Sequence, residues 1–155
     1  MKCSNDEFLK AIFGADAPWC HVTDFPYDPS NIPADKHLIA WMGDYYDRYQ
    51  MRQGTNQYFT ISTFNADEKG KARRRKALYR QTHCVVLDDV REKLSVEVAA
   101  RLPPPSWILE ASPGSEQHGY ILDVPCTVAA RIDNLNDGLI DSDLAPSGKD
   151  PGQKG

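Results

Sequence analysis

Polar side chains that could bind a metal ion or a phosphate group follow three apolar segments of this sequence. They are Asp88 and Asp89, then Ser112, Gly114 and His118, and finally Asp141 and Asp143. Carboxylates at neighbouring strand ends suit Mg²⁺ or Mn²⁺, because these hard cations prefer oxygen ligands. Hydroxyl, imidazole and backbone N–H groups can hold phosphate oxygens, and two metal ions can stabilise both oxygens of a phosphoryl transfer. The order of these groups favours metal-dependent chemistry on a phosphate compound.

A basic segment lies between residues 69 and 80, and we expect it to form a helix. Its candidate nucleic-acid contacts are Arg73, Arg74, Arg75, Lys76 and Arg80. They could bind template phosphates or an incoming nucleotide, although a charge run of this kind is also typical of a solvated helix face. The formal net charge of -4 argues against a protein that coats nucleic acid by bulk charge.

The elements that must position these groups are predicted from periodicity and turn residues. We expect strands over 58–64 and 84–87, a short helix around 96–102, a hairpin of strands 106–111 and 118–122, a helix opened by Asp123 and ended by Gly138, and a strand at Leu139-Ile140. The second of these strands would be buried and would end at Asp88-Asp89. The last would end at Asp141.

The first third of the chain is predicted to be helical. Ser4 and Glu7 form a capping-box pattern before apolar residues at helical spacing, and Gly14 would end this helix. A proline-rich stretch over 15–33 should be irregular. Leu38, Trp41, Met42, Tyr45 and Tyr49 fall on one side of a second helix that would end near Gly54, with core packing as their simplest role.

These elements favour an α+β fold with a mixed β-sheet and flanking helices, because strands and helices alternate without a regular βαβ rhythm. We expect a single domain over 1–144, with an N-terminal helical part (1–56) and a sheet core (57–144) that carries the motifs. Residues 145–155 should be a flexible or truncated end.

The three motifs together resemble a known family. The apolar strand before Asp88-Asp89, the run from Ser112 to Tyr120, and Ile140-Asp141-Ser142-Asp143 resemble the motifs of the archaeo-eukaryotic primase superfamily, in particular phage and plasmid primase-polymerases of the RepB-like type. The resemblance implies an RRM-like primase core. It also implies that Asp88 or Asp89, with Asp141 or Asp143, binds metal, and that Ser112 and His118 contact nucleotide phosphates.

Two features depart from that family. Its first motif is commonly Asp-x-Asp, whereas Asp88 and Asp89 are adjacent and would point to opposite sides of a regular strand. Either the strand breaks there and both carboxylates turn inward, or only one of them is a ligand. The basic stretch that commonly follows the third motif does not appear before Gly155, so a truncated piece, an incomplete chain or a natural remnant is expected.

The resemblance implies a DNA primase or primase-polymerase that performs metal-dependent, template-directed nucleotidyl transfer in phage or plasmid replication. Its partners would be a single-stranded DNA template, nucleoside triphosphates and a replicative helicase domain. The absence of a long apolar run or signal peptide predicts a cytoplasmic protein without membrane contact.

The leading alternative is a single-stranded nucleic-acid-binding module without chemistry, or an inactive primase fragment. Such a module would stack bases on an exposed Tyr58, Phe64 or Tyr120. A rolling-circle nickase is disfavoured because no His-hydrophobic-His motif exists, and a serine hydrolase because Ser112 lacks a Gly-x-Ser-x-Gly elbow. Cys20-His21 and His83-Cys84 give only a weak zinc pattern.

Overall fold

The computed structural model describes residues 3–27, 31 and 43–145. The fold is α+β, as expected, and the chain forms two compact units, of which one ends at Arg80 and the other begins at Gln81. The division into one domain over 1–144 and an end segment stays a prediction. None of the helices in the described ranges is long and apolar enough to cross a membrane.

The helices and strands are numbered in chain order. They are α1 (Asn5–Phe13), β1 (Cys20–Phe25), β2 (Asp44–Tyr45), β3 (Asn56–Phe64), β4 (Tyr79–Val90), α2 (Val96–Ala99), β5 (Trp107–Ser112), β6 (Ser115–Cys126) and α3 (Ala129–Asp141). Short 3-10 helices cover Gly14–Trp19 and Lys76–Leu78.

Helix α1 begins as the sequence predicts. The Ser4 hydroxyl accepts the Glu7 N–H, and the Glu7 carboxylate accepts the Ser4 N–H at 2.8 Å, which completes the capping box. The helix buries Leu9, Ile12 and Phe13. Gly14, with φ 55, ends it.

Strand β1 was not expected. The prediction of an irregular connection over 15–33 is therefore wrong at residues 20–25. In the first unit the strands follow the order β2-β1-β3, and both pairings are antiparallel. All six residues of β1 are buried, including His21, Thr23 and Asp24. The polar residues hide the strand in the sequence, because a buried strand ordinarily reads as an apolar run.

The prediction of a second helix is also wrong over residues 43–54. Its other residues, Leu38, Trp41 and Met42, lie outside the described residues. Tyr45 belongs to β2 and is buried, and its hydroxyl donates to the Phe64 carbonyl at 3.0 Å. Its core role is confirmed, but in a strand. The N-terminal part of the chain thus contains two strands as well as a helix.

The basic segment does not form the expected helix. The Asp67 carboxylate accepts the backbone N–H groups of Lys69 and Lys71 at 2.9 and 2.8 Å, and Gly70 has φ 72. This side-chain turn takes up N–H groups that a helix would use for its own hydrogen bonds. Beyond it the chain is irregular until the 3-10 turn that leads into β4.

The second unit has strands in the order β4-β6-β5, again antiparallel. The predicted hairpin of β5 and β6 is present, but its turn is shorter than expected, since β6 begins at Ser115 rather than at His118, with Gly114 at φ 84 in the turn. Its core cluster contains Leu87, Val90, Leu94, Ala99 and Ala145. Residues from α2, α3 and β6 pack against that cluster, namely Val98, Leu139, Ile140 and Tyr120.

Helix α3 differs from its prediction at both ends. Asp123 and Pro125 belong to β6. The pairing of β6 with β5 ends at Trp107↔Gly119, so Pro125 lies in a part of β6 that β5 does not cover, where a missing N–H is tolerated. The helix begins at Ala129, passes through Gly138 and ends at Asp141. The expected final strand at Leu139-Ile140 is therefore wrong.

The spacing of buried residues explains why this helix continues. Ile132 and Asn136 are buried, and Leu139 and Ile140 pack on the core cluster. These positions fall at i, i+4, i+7 and i+8, which is one side of a helix. The expected inner residue Leu135 is instead 45% exposed.

Candidate active site

A β-bulge at the end of β4 decides where the two adjacent carboxylates point. Leu87 is paired with His118 and Val90 with Glu116, so Asp88 and Asp89 together oppose Gln117. Asp89 has φ 53, a conformation that aspartate tolerates better than most residues. The register of β4 therefore shifts at this point without ending the strand, so the two adjacent carboxylates do not have to point to opposite sides; which of them binds metal stays a prediction.

Both carboxylates contact the same side of β6. The Gln117 amide donates to Asp88 Oδ1 at 3.0 Å, and the Ser115 hydroxyl donates to Asp89 Oδ1 at 3.3 Å. Side chains two residues apart on a strand share a side. We call the side of β6 that carries Ser115 and Gln117 the acidic face, and the side that carries Glu116 and His118 the core face.

The turn after the bulge brings a lysine to the acidic face. Lys93 Nζ lies 2.7 Å from Asp89 Oδ2. The carbonyl oxygen of Asp89 accepts the N–H groups of Glu92, Lys93 and Leu94 at 3.1, 2.8 and 3.2 Å. The Asp89 side chain thus forms an ion pair with Lys93, and the Asp89 carbonyl accepts the hydrogen bonds that form the turn.

His118 lies on the core face, away from the hydrogen bonds that hold Asp88 and Asp89. Its Nε2 lies 3.0 Å from Glu116 Oε2, and the Arg91 guanidinium lies 2.8 Å from the other oxygen of that carboxylate. The hydrogen bond from His118 and the charge of Arg91 lower the pKa of Glu116. The His118 side chain is only 9% exposed. Its predicted phosphate contact stays a prediction, and this geometry does not favour it.

The hairpin turn places the other two predicted phosphate-binding residues. Ser112 is the exposed last residue of β5, where it pairs with Ser115, and Gly114 forms the turn between them. The Gly114 N–H donates to Glu110 Oε1 at 3.4 Å. Ser115 is buried, and its hydroxyl donates a hydrogen bond to Asp89. Ser115, which was not predicted, therefore contacts an acidic side chain directly.

Asp141 and Asp143 are placed by α3 rather than by a strand end. Asp141 is the last residue of the helix, Asp143 follows it with φ 56, and both are exposed. Over residues 3–27, 31 and 43–145, no group of three or more His, Cys, Asp or Glu side chains could hold a metal ion together. The structure therefore does not assemble these residues with Asp88 and Asp89 into one carboxylate cluster.

The basic residues belong to the first unit. Arg73 pairs with Asp67 at 3.6 Å, and Arg80 pairs with Asp16 at 2.9 Å with its guanidinium over the Trp19 ring. Arg74, Arg75 and Lys76 are exposed. These last three residues, which we call the exposed basic triplet, keep the expected surface position although the helix is absent.

The aromatic residues proposed for base stacking are mostly committed to packing. Phe64 is 6% exposed, Tyr58 meets Phe25 edge-on at 5.7 Å between ring centres, and Tyr120 packs on the core cluster of the second unit. The binding module without chemistry therefore stays an alternative, with these three rings engaged in packing contacts.

Sequence reasoning missed Ser115, Gln117 and Lys93. The first two could have been found from the alternation of a strand that starts directly after Gly114, because it puts Ser115 and Gln117 on one side. Lys93 could have been found only from the bulge, which brings a residue four positions away back to Asp89.

Comparison with known proteins supports the fold. No protein-family model matches the sequence, and no curated protein matches it. Among solved structures, the chain is similar to the AEP domain of the cyanophage S-2L primase-polymerase (PrimPol), with a TM-score of 0.56 and 13% sequence identity. The likeness covers 95% of this chain and 76% of that chain. This chain thus shares the overall fold of that domain.

Proposed function

We propose that this chain is a primase-polymerase of the RepB-like type, which joins nucleotides on a single-stranded DNA template in a metal-dependent reaction. The observation that carries the proposal is the bulge that turns the adjacent Asp88 and Asp89 to one side of the sheet. The similar fold of a phage primase-polymerase domain supports it. Partners would be nucleoside triphosphates, the DNA template and a replicative helicase domain.

The residues at the bulge fit Mg²⁺ or Mn²⁺. Asp88 and Asp89 supply hard oxygen atoms and are partly accessible, and Asp89 already pairs with the cationic Lys93. Magnesium is usually held by one or two carboxylates, with water and substrate phosphates as its other ligands. Asp88 and Asp89 would thus hold the ion, which when bound would supply charge stabilisation at the reacting phosphate.

The surrounding side chains would orient these ligands. Gln117 holds one oxygen of Asp88, and Ser115 holds one oxygen of Asp89. A ligand fixed in this way loses less freedom on binding, and residues that hold metal ligands commonly tune metal affinity. Asp141 and Asp143 stay candidates for a further ligand, as the family resemblance implies.

The test is primer synthesis on single-stranded DNA with Mn²⁺ and nucleoside triphosphates. Asp88→Asn with Asp89→Asn should lower the rate by about a hundredfold or more, because the charges that stabilise the reacting phosphate through the metal are removed. Asparagine suits this test because it also tolerates the positive φ of residue 89. The same chains should be compared for Mn²⁺ binding by electron paramagnetic resonance.

The matched control removes two other exposed carboxylates from the second unit, by Asp123→Asn with Asp133→Asn. It should leave synthesis and Mn²⁺ binding unchanged. Product that forms without metal, or that survives the change at 88 and 89, would contradict the proposal. Binding of single-stranded DNA without metal and without any product would favour the binding module instead. Asp141→Asn and His118→Ala, tested separately, measure the two roles implied by the family resemblance.

A further inference from the structure

The ion pair between Lys93 and Asp89 occupies the carboxylate that the proposed metal would need. The two charged atoms are 2.7 Å apart, and the Lys93 side chain is 52% exposed whereas that of Asp89 is 19% exposed. The ammonium group therefore neutralises Asp89 from its solvent side. A divalent cation that binds the same carboxylate must compete with this charge.

The backbone around Lys93 is fixed, so that only its side chain has to move. Its N–H donates to the Asp89 carbonyl at 2.8 Å, and the Arg91 N–H donates to the Leu94 carbonyl at 2.7 Å in the same turn. A lysine side chain is a mobile point charge on a flexible stem, and its ammonium group binds phosphate as well as carboxylate. Once displaced, it stays within reach of a phosphate group held beside Asp89.

We propose that Lys93 is an exchangeable counter-ion, which neutralises Asp89 in the absence of metal and binds phosphate oxygens of the nucleotide once the metal has taken its place. The inference rests on the proposed function and adds a substrate-binding residue to the same site. Its consequence is that metal alone binds weakly, because it must break the ion pair. Metal and triphosphate then favour each other's binding, since the phosphate offers the displaced ammonium group a contact in place of Asp89.

The test compares the wild-type chain with Lys93→Gln in two binding measurements. The first titrates Mn²⁺ alone and follows the free ion by electron paramagnetic resonance. Loss of the competing charge should tighten Mn²⁺ binding by about two- to fivefold, the range expected for a largely exposed ion pair. The second measures binding of a labelled, non-hydrolysable nucleoside triphosphate at saturating Mn²⁺. Loss of the phosphate contact should weaken that binding severalfold, so the two effects have opposite signs.

Lys10→Gln is the matched control. Lys10 pairs with Asp6 at 2.8 Å with the same four-residue spacing, but on α1 of the first unit. This substitution should change neither measurement. Circular dichroism spectra of the three chains check that each is folded.

The outcomes separate this inference from the function on which it rests. If Mn²⁺ binding is lost with Asp88→Asn and Asp89→Asn but is unchanged or weaker with Lys93→Gln, the exchange role is overturned and the metal site stands. Nucleotide binding that Lys93→Gln leaves unchanged also overturns it. If neither the wild-type chain nor Lys93→Gln binds Mn²⁺, the proposed function is overturned together with the inference.

Discussion

A buried carboxylate in the first unit shows how single residues stabilise this fold. The Asp24 side chain is fully buried, and it accepts hydrogen bonds from the Tyr49 hydroxyl at 2.6 Å and the Arg52 N–H at 2.7 Å. The Thr55 hydroxyl and the Arg52 guanidinium add contacts at 3.0 and 3.1 Å. A buried charge is tolerated only when it is paired and hydrogen-bonded. These donors, led by Arg52, hold the pKa of Asp24 far below its usual value.

Arg52→Gln should lower the free energy of unfolding at pH 7, because Asp24 stays buried and loses its charged partner while keeping other donors. The folded-state pKa of Asp24 is lowered, so its contribution to stability is complete above the ordinary value of 3.8 and is lost progressively as the pH falls from there through the lower folded-state pKa. The difference between the two chains should therefore shrink between about pH 4 and pH 2. Urea denaturation followed by circular dichroism at several pH values measures it.

The control is Arg101→Gln, which removes an exposed arginine from the second unit. It should change stability little at any pH. A difference between wild type and Arg52→Gln that stays constant down to pH 2 would show that Arg52 does not hold down the pKa of Asp24.

A close contact beside the candidate site gives a second prediction for single residues. A Cβ atom at Gly119 would overlap with the Trp107 indole ring on the neighbouring strand. Gly119→Ala should therefore lower the free energy of unfolding by about 1–3 kcal/mol, because a rigid ring has to move. In a Trp107→Ala background the same change should cost much less, giving a coupling of about 1 kcal/mol or more in a double-mutant cycle measured by urea denaturation. Additive effects would contradict this account.

At the scale of elements, the bulge in β4 turns a departure from the family pattern into a usable arrangement. In a regular strand, adjacent aspartates point to opposite sides. Here Asp88 and Asp89 together oppose Gln117, and Asp89 has a positive φ. As a result Gln117 donates to Asp88 and Ser115 donates to Asp89, on the same side of β6. The element thus achieves what an Asp-x-Asp spacing would achieve in an unbroken strand.

Helix α3 gives a prediction that separates the sequence-based boundary from the observed one. Gly138 lies inside the helix and is exposed, and a Cβ atom at this position would lie in open space. Gly138→Ala should raise the free energy of unfolding by about 0.5–1 kcal/mol, since alanine loses less chain entropy than glycine in a helix. Thermal and urea denaturation measure the change. A loss of stability would indicate that residue 138 ends the helix, as its sequence suggested.

The elements that sequence reasoning found are those with local signals. The capping box of Ser4 and Glu7 fixes α1, and the apolar run before Asp88 and the turn at Gly114 fix β4 and the hairpin. What it missed depends on distant partners. Asp24 can be buried in β1 because residues between 49 and 55 donate hydrogen bonds to its carboxylate. Those donors are distant in the sequence, so the residues around Asp24 alone do not indicate a buried strand.

The candidate site divides in the same way. Asp88 and Asp89 were found because they end an apolar strand, but their common side depends on a bulge in the register with β6. His118 was selected for its place in the predicted hairpin and then by resemblance, whereas register with Leu87 places it on the core face. Asp141 was expected at a strand end, and helical packing of Leu139 and Ile140 on the core cluster put it at the end of α3 instead.

At the scale of the whole molecule, the acidic net charge means that the proposed binding of DNA would depend on a local basic surface. The net charge is -4, so nucleic-acid affinity cannot come from the total charge. The exposed basic triplet is the concentration of positive charge that both proposed and alternative functions would use. Its effect on binding should appear as a salt dependence, because each phosphate contact releases counter-ions from the strand.

Replacing the triplet by glutamine, with Arg74→Gln, Arg75→Gln and Lys76→Gln, should weaken binding of single-stranded DNA at low salt. It should also reduce the slope of log affinity against log salt concentration by roughly 2, at about 0.7 for each of three lost contacts. Fluorescence anisotropy of a labelled oligonucleotide at several salt concentrations measures both quantities. The control removes three other exposed charges by Lys10→Gln, Arg101→Gln and Arg131→Gln, and it should leave the slope close to that of the wild type. Equal slopes for the triplet variant and the wild type would exclude the triplet from the DNA contact. A reduced slope in the control variant would show that binding follows total charge rather than this surface.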